Sequence, residues 1–388
     1  MKRNTRRWTI SRYLRGRQKY KIDNILFKQD IRDGFYMSDI KEALFYRRLK
    51  DNLVQCFSCA HKCIIRNGER GICRVHKNIN GKLYLLVYGR LSAMAIDPIE
   101  KKPLFHWYPG SPTFSISTIG CNFKCPWCQN WDISQADPDN VKFRYVSPED
   151  VVRLAKKYSC PSISITYNEP TIWLEYVLDV SKLASKDNIK IVLVTNGYFS
   201  EESFNEMYKY FHAANIDVKA FREETYKKYI GARLQPVLDS IIAMKEKKIH
   251  VETTYLIIPG LNDSEEEIRS MVKWHIDNLG PDTPLHLSRF YPHYKFMDRS
   301  PTPIETIERA YRIAREEGLR YIYVGNVFGH KGEYTYCPNC GKPVIKRIGF
   351  EIVEYNLDED NRCKYCSTKI SIVGKYSRSS SWNSMFYI

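Results

Sequence analysis

The chain has 388 residues and a formal net charge of +16, long enough for one large domain with smaller appendages. Hydrophobic residues make up 43%, enough for a sizeable core, but the longest apolar runs, around residues 191–195 and 256–258, have strand length and exclude a membrane span of that kind. No apolar segment follows the basic N-terminus, so Arg6-Arg7 resembles a twin-arginine signal only superficially, and the expected location is the cytoplasm.

In chain order, residues 1–50 come first as a basic arm, opening "MKRNTRRWTISRYLRGRQKYK". A solvated extension is the first expectation; a phosphate-binding arm for nucleic acid or an acidic partner is the alternative. Within it, "SDIKEALFYRRLK" predicts a short amphipathic helix, with Ser38 as N-cap and Ala43, Leu44 and Leu49 as apolar positions. Residues 51–108 are expected to form a small looped module around Cys56, Cys59, Cys63 and Cys73, with Gly68, Gly71 and Gly81 nearby.

Residues 109–330 alternate. Strand-like runs at 113–117, 162–167, 190–195, 216–219, 251–258, 285–290 and 321–324 are separated by helical patterns at 148–157, 173–185, 201–211, 234–247, 264–278 and 302–317. Ser147-Pro148 and Asp263-Ser264 read as helix starts and Gly318 as a stop. This repetition predicts an α/β fold with a parallel sheet and right-handed crossovers, a partial barrel of about six β/α units. A flat doubly wound sheet is the competitor, weakened because no phosphate-binding glycine loop follows the first strand. Residues 331–375 carry Cys337, Cys340, Cys363 and Cys366, and 376–388 form a polar tail.

Eleven of the twelve cysteines fall into three clusters. A reducing compartment keeps thiols from pairing, so clustered cysteines there read as metal ligands. The exception, Cys160, is expected to be a small buried side chain. The cluster "CNFKCPWCQN" follows the first predicted strand, at the end of a β/α barrel where reactive loops collect. Its Cys121, Cys125 and Cys128 suit three irons of a cubane and leave one iron without a protein ligand, an open position for chemistry. A zinc site completed by a distant His or Cys is the alternative.

The C-x3-C-x-aromatic-C spacing resembles the signature of the radical S-adenosylmethionine (radical SAM) superfamily. The resemblance implies a [4Fe–4S] cluster whose open iron takes SAM. Reductive cleavage then gives a 5′-deoxyadenosyl radical that removes hydrogen from a substrate, with Trp127 near the adenine. "YNEP" resembles the Gly-Gly-Glu-Pro segment, with Tyr167 and Asn168 in place of the glycines and Glu169 as its glutamate. "TNGY", with Thr195 and Asn196, resembles the ribose-contacting segment, and "DVKAF" resembles the D-x-K-x-F segment of glycyl-radical activating enzymes. There Lys219 would partner the SAM carboxylate and Asp217 would orient it or hold a cation.

From residue 56 to about 375, "DPIEKKPLFHWYPG", "CQNWDIS", "TYNEPTIWLEY", "IPGLND", "SRFYPHYKF", "YVGN" and "CPNCGKPVIKR" together resemble the radical SAM enzyme of the AmmeMemoRadiSam system. Pyruvate formate-lyase activating enzymes are more distant. The resemblance implies a reduced ferredoxin- or flavodoxin-like donor and makes Memo-like and AMMECR-like proteins candidate partners.

The C-terminal CxxC…CxxC predicts a closed four-thiolate zinc ribbon, with a single iron or a nucleic-acid-reading role as alternatives. The N-terminal four-cysteine group is expected to hold zinc or an auxiliary iron–sulfur cluster, with His61 and His76 as spare ligands. Glu252, Tyr255, His286, Arg289, Tyr291 and His293 are further candidates on or after late strands. The function these readings point to is radical SAM chemistry on an unidentified substrate. Activation of a glycyl-radical enzyme and modification of RNA or protein are the alternatives within the class. A non-enzymatic zinc-ribbon nucleic-acid-binding protein is the alternative outside it.

Overall fold

The computed structural model describes residues 40–141 and 143–378. Its centre is an eight-stranded sheet of β1 (Ala93–Pro98), β2 (Pro112–Ser117), β3 (Ser162–Ile165), β4 (Lys190–Thr195), β5 (Ala213–Val218), β6 (His250–Ile257), β7 (Leu285–Arg289) and β8 (Ile322–Gly325). The strands lie in sequence order. β2 through β8 are parallel, and β1 joins β2 antiparallel. The six crossovers carry α1 (Pro148–Lys157), α2 (Leu174–Lys186), α3 (Glu201–Met207), α4 (Gln235–Glu246), α5 (Glu265–Leu279) and α6 (Ile304–Glu316). Crossovers of one hand, each adding the next strand on the same side, put the helices on one face and curl the sheet into a partial barrel.

Local chemistry supports these elements. Ser147, Ser200 and Ser264 each accept the backbone N–H three residues on, and Pro148 follows its cap at the first helical position. The strand register sorts side chains by face. Phe114, Ile116, Ile163, Ile165, Ile191 and Leu193 turn towards the helices, while Ser115, Ser164, Asn215, Asp217, Glu252, His286 and Tyr323 line the lumen.

Residues 99–110 close the lower end of that lumen. Glu252 accepts the N–H groups of Phe105 (2.9 Å) and His106 (2.7 Å), and Asn215 donates to the Pro103 carbonyl at 2.8 Å. Ile99, Leu104 and Trp107 pack on Val192 and Ala213, at the starts of β4 and β5. The open end of the barrel is therefore the one formed by the strand C-termini.

Two cysteine modules flank the sheet. The N-terminal one has a three-stranded sheet (Tyr46–Arg48, Val54–Cys56, Ile64–Ile65) and a second one (Lys41–Glu42, Lys82–Leu85, His76–Ile79). Its first strands correct the helix expected from "SDIKEALFYRRLK". Buried Ala43 and Phe45 alternate with exposed neighbours, and Tyr46–Arg48 pairs with Val54–Cys56. Edge pairing and period-two burial override the helical propensity of a short segment. Ser38 and the basic run before it lie outside the described residues. The C-terminal module is a three-stranded antiparallel sheet of Thr335–Tyr336, Pro343–Ile348 and Glu351–Tyr355. No helix among the described residues is long and apolar enough to cross a membrane.

Candidate functional site

All twelve cysteines carry free thiols. Cys121, Cys125 and Cys128 sit on the loop leaving β2. Backbone bonds hold this loop from several sides: Gly120 N–H to Ile133 O (2.9 Å), Lys124 N–H to Ile230 O (3.0 Å), and Lys295 N–H to Pro126 O (2.9 Å). The Phe123 N–H points at the Cys121 sulfur (3.4 Å), and the Ser134 hydroxyl lies 3.3 Å from the Cys128 sulfur. Burial pushes the Cys125 thiol up to about 12 against the pull of Lys219. Burial, and then the Glu169 charge, push the Cys121 thiol well up.

Lys219 ends the β5 segment beside these cysteines and pairs with Asp217 at 2.9 Å. Burial works against its charge, but Asp217 and then Cys125 hold its pKa above the usual lysine value. The backbone of Lys219 is fixed from both sides. Its N–H donates to the Tyr226 hydroxyl (3.1 Å), and its carbonyl accepts from the Asn262 side chain (3.0 Å). Asn262 also bonds Leu256 O and Ile258 N–H, so the "GLND" turn acts as a clamp on β5 and β6.

The other residues expected near the cofactor form one buried network knitting the ends of β2, β3 and β4. Glu169 accepts from Thr171 N–H (3.0 Å), the Thr195 hydroxyl (2.7 Å) and Asn196 N–H (2.8 Å). Burial raises the Glu169 pKa while these donors oppose the rise. Asn168 joins Thr118 N–H to the Gly120 carbonyl, and Asn196 donates to Asn122 Oδ1 at 2.7 Å. Trp127 is buried under the loop after β7, its ring 5.5 Å from that of Phe296. The half-exposed pair facing the open end beside the three cysteines is Asp217–Lys219, with side chains 30% and 20% exposed.

The late-strand candidates separate. Glu252 and His286 bond each other at 2.7 Å, but at the plugged end. Tyr255 faces the helices and donates to Asn262 O and Glu267. Arg289 and Tyr291 meet at the upper rim, where Arg289 donates to the tyrosine oxygen at 3.0 Å. His293 lies in the loop after β7. Asn122, Tyr226 and Asn262 are positioning residues that sequence reading did not single out. Their signal, a polar side chain inside a turn, is too common to stand out.

Sulfur spacing distinguishes the centres. In the C-terminal group Cys337 and Cys366 stand 3.5 Å apart and Cys340 and Cys363 3.8 Å. A tetrahedral ion with metal–sulfur bonds of about 2.3 Å needs sulfurs about 3.8 Å apart. Among the described residues this is the only group of three or more such ligands with every donor atom within 4.8 Å of the others. The sulfurs of Cys121, Cys125 and Cys128 do not all lie within 4.8 Å of one another, and thiols that each take a different iron of one cluster need no single-ion spacing. Three soft donors within eight residues and a cation beside them fit a cluster with an open corner.

A family model described as the radical SAM superfamily matches residues 115–274, from β2 through most of α5. The uncharacterized protein MJ0808 of Methanocaldococcus jannaschii is 48% identical over 335 residues, 86% of this chain and 100% of its own length. This chain belongs to the radical SAM superfamily. Pyruvate formate-lyase 1-activating enzyme of Escherichia coli strain K12 is 21% identical over 223 residues, 53% of this chain and 89% of its own. A solved radical SAM methyltransferase from Sphaerobacter thermophilus superposes with a TM-score of 0.45 at 16% identity, covering 56% of this chain and 67% of that one. Within this superfamily protein, the matched region contains the three-cysteine loop, the Glu169 network and the Asp217–Lys219 pair.

Proposed function

We propose that the chain cleaves S-adenosylmethionine reductively, with a [4Fe–4S] cluster held by Cys121, Cys125 and Cys128, and removes a hydrogen atom from its substrate. The observation that carries this is the thiol trio on the β2 loop with the Asp217–Lys219 pair beside it at the open end of the barrel. When bound, cluster and SAM supply one-electron cleavage of the sulfonium to methionine and a 5′-deoxyadenosyl radical.

The chain's own residues do the holding and shielding. Lys219 offers a fixed cation to the SAM carboxylate, and Asp217 sets its direction. Thr195, Asn196, Asn168 and Glu169 keep the β3 and β4 ends in register with the cysteine loop, so the cofactor meets backbone already in place. Trp127, packed on Phe296, ties the loop after β7 across the site, and such a cover excludes water from a radical. Reduced ferredoxin or flavodoxin is the electron source. The C-terminal four cysteines hold a structural zinc.

Within the superfamily we favour the AmmeMemoRadiSam branch, on the run of segments from "DPIEKKPLFHWYPG" to "CPNCGKPVIKR", with Memo-like and AMMECR-like proteins as partners. Activation of a glycyl-radical enzyme is the second reading, favoured by "DVKAF" and by a relative named as a putative glycyl-radical enzyme activating enzyme, MJ1227 of Methanocaldococcus jannaschii. The test is anaerobic incubation of the reconstituted protein with SAM and dithionite. We expect 5′-deoxyadenosine and methionine in equal amounts, with a loss of at least about 100-fold in Cys125→Ala, which removes a cluster ligand. No nucleoside from fully loaded wild-type protein would refute the proposal. Lys219→Ala should raise the SAM Kd by roughly 10-fold, the scale of one charge-assisted contact.

A further inference from the structure

We infer that the outer face of the three-cysteine loop docks a small acidic electron-carrier protein of the ferredoxin or flavodoxin class. Three segments make this face: residues 121–130, 226–234 and 291–297. Together they hold five Lys or Arg residues and no Asp or Glu. They form one surface. Lys124 N–H bonds the Ile230 carbonyl (3.0 Å), Lys295 N–H bonds the Pro126 carbonyl (2.9 Å), and the Tyr229 ring centre lies 6.1 Å from that of Phe296.

The charge on this face is not neutralised by the chain itself. Of the five cations, Lys227 is held by Glu223, just outside the segment (3.5 Å). Lys124, Lys228, Arg233 and Lys295 are exposed and have no ion-pair partner among the described residues. Exposed Asp132, Glu224 and Asp298 flank the three segments in sequence, and none of them comes within ion-pairing distance of these four. Exposed cations elsewhere do pair: Lys62 with Glu202 (2.7 Å), Arg153 with Asp150 (2.8 Å), Lys156 with Asp187 (2.6 Å) and Arg320 with Asp282 (2.9 Å). Four like charges on one face repel one another, and an acidic partner relieves that repulsion.

Side-chain direction separates an electron donor from a substrate. Phe123, Trp127, Tyr226 and Ile230 come from the same segments and are buried. The Phe123 ring packs on those of Tyr198 (5.2 Å) and Tyr226 (6.1 Å), and Arg233 N–H is tied to this layer through the Tyr198 hydroxyl (3.3 Å). The cations are therefore the outside of a cover whose inner side carries the buried Cys125. A substrate atom does not cross a close-packed layer to reach an open iron, whereas an electron can tunnel through it.

The role rests on the function proposed above, which needs one electron for each SAM cleaved. The docked carrier loses one electron and the loop cluster gains one, with no bond made or broken. Electron-transfer encounters are among the smallest protein interfaces, below about 1,200 Å², and complementary charge sets their association rate. A compact face of four unpaired cations beside the cysteine loop is of that scale.

The test follows cluster reduction by stopped-flow absorbance in full-length protein reconstituted without oxygen, with a purified, fully reduced flavodoxin as donor. The wild-type rate should fall at least about 10-fold between about 50 and about 500 mM salt, as the charges on both proteins are screened. Lys124→Glu/Lys228→Glu/Arg233→Glu should be reduced at least about 10-fold more slowly at low salt and lose most of the salt dependence. Its iron content and its 5′-deoxyadenosine yield with dithionite, a small reductant that needs no docking, should match wild type. The triple Lys124→Gln/Lys228→Gln/Arg233→Gln should be slowed less, and it decides the matter if the reversed charges impair folding. Lys157→Glu/Lys182→Glu/Lys186→Glu, an equal change of net charge at exposed positions of α1 and α2, should stay within about 3-fold of wild type. Equal rates in wild type and both patch variants, or equal slowing in the α1/α2 variant, would overturn the docking face. So would a single-stranded RNA that binds wild type but not the patch variants while their flavodoxin rates stay unchanged. Wild type that is reduced through this face but yields no 5′-deoxyadenosine would instead refute the proposed function and leave the docking face standing.

Discussion

Tyr167 occupies a left-handed backbone conformation, φ 67°, at a position where the superfamily pattern has glycine. Such a conformation costs a non-glycine residue about 1–2 kcal/mol. The tyrosine offsets that cost by reaching down the lumen, where its hydroxyl donates to Asp97, and its carbonyl accepts from Asn130 of the cysteine loop. Asp97 is the hub of this lower lumen and pairs with Lys101 (2.8 Å) and Lys102 (2.6 Å). Single buried groups also set the response to acid. His275 lies between the Thr253 hydroxyl (3.2 Å) and the Thr283 carbonyl (2.9 Å), and burial lowers its pKa to about 4. The unfolded chain takes up this proton near pH 6.5, before the folded one does. Stability is therefore full above pH 6.5 and falls as pH drops from there to about 4, by up to about 3 kcal/mol for this one group. Urea unfolding of His275→Gln should show a shallower pH dependence than wild type across that window; equal slopes would contradict the assignment.

At the scale of an element, the β2 loop shows how little slack the site has. Gly120 stands at φ 89°, and a Cβ there would meet Val75 at 2.8 Å and the Cys73 carbonyl at 2.9 Å. Both the backbone conformation and the close approach demand glycine. Gly120→Ala should cost at least about 2 kcal/mol by thermal or urea unfolding and reduce iron occupancy of the 121–128 loop. Zinc content should stay constant, because the C-terminal thiols lie in a different packing cluster. Equal loss of both metals would mean that the substitution acts on the whole fold rather than on the loop.

Across the whole molecule, the C-terminal module is joined to the plugged end of the barrel rather than to the open one. Cys337 and Cys363 share a core with Phe105, Tyr321 and Tyr323. The buried Arg347 guanidinium sits 4.2 Å from the Phe105 ring centre and donates to the Phe105 carbonyl at 3.0 Å. His106 and Tyr108 bond the backbone of Ser371 and Val373. Losing the metal there should loosen the floor of the barrel without touching its reactive loops. Cys340→Ala/Cys366→Ala should lose zinc and lower Tm by on the order of 5 °C or more, while iron in the 121–128 loop persists; an unchanged Tm would show that the ion is not structural.

Every parallel strand from β2 to β8 and every crossover helix was legible within a few residues, because apolar periodicity and the Ser147 and Ser264 caps are local signals. The three cysteines of the β2 loop stand out in the sequence for the same reason, as they lie within eight residues of one another. The segment at 40–50 was misread, since a short strand at a sheet edge exists only through the partner that pairs with it. The sequence by itself determined the order of elements and the ligand spacings, which are properties of neighbouring residues. Only the tertiary structure decided that Glu252 and His286 belong to the floor, that Asn262 and Tyr226 hold Lys219, and that Cys73 backs onto Gly120. These are meetings of residues far apart in the chain, fixed by the direction in which the sheet curls, and no local pattern encodes them.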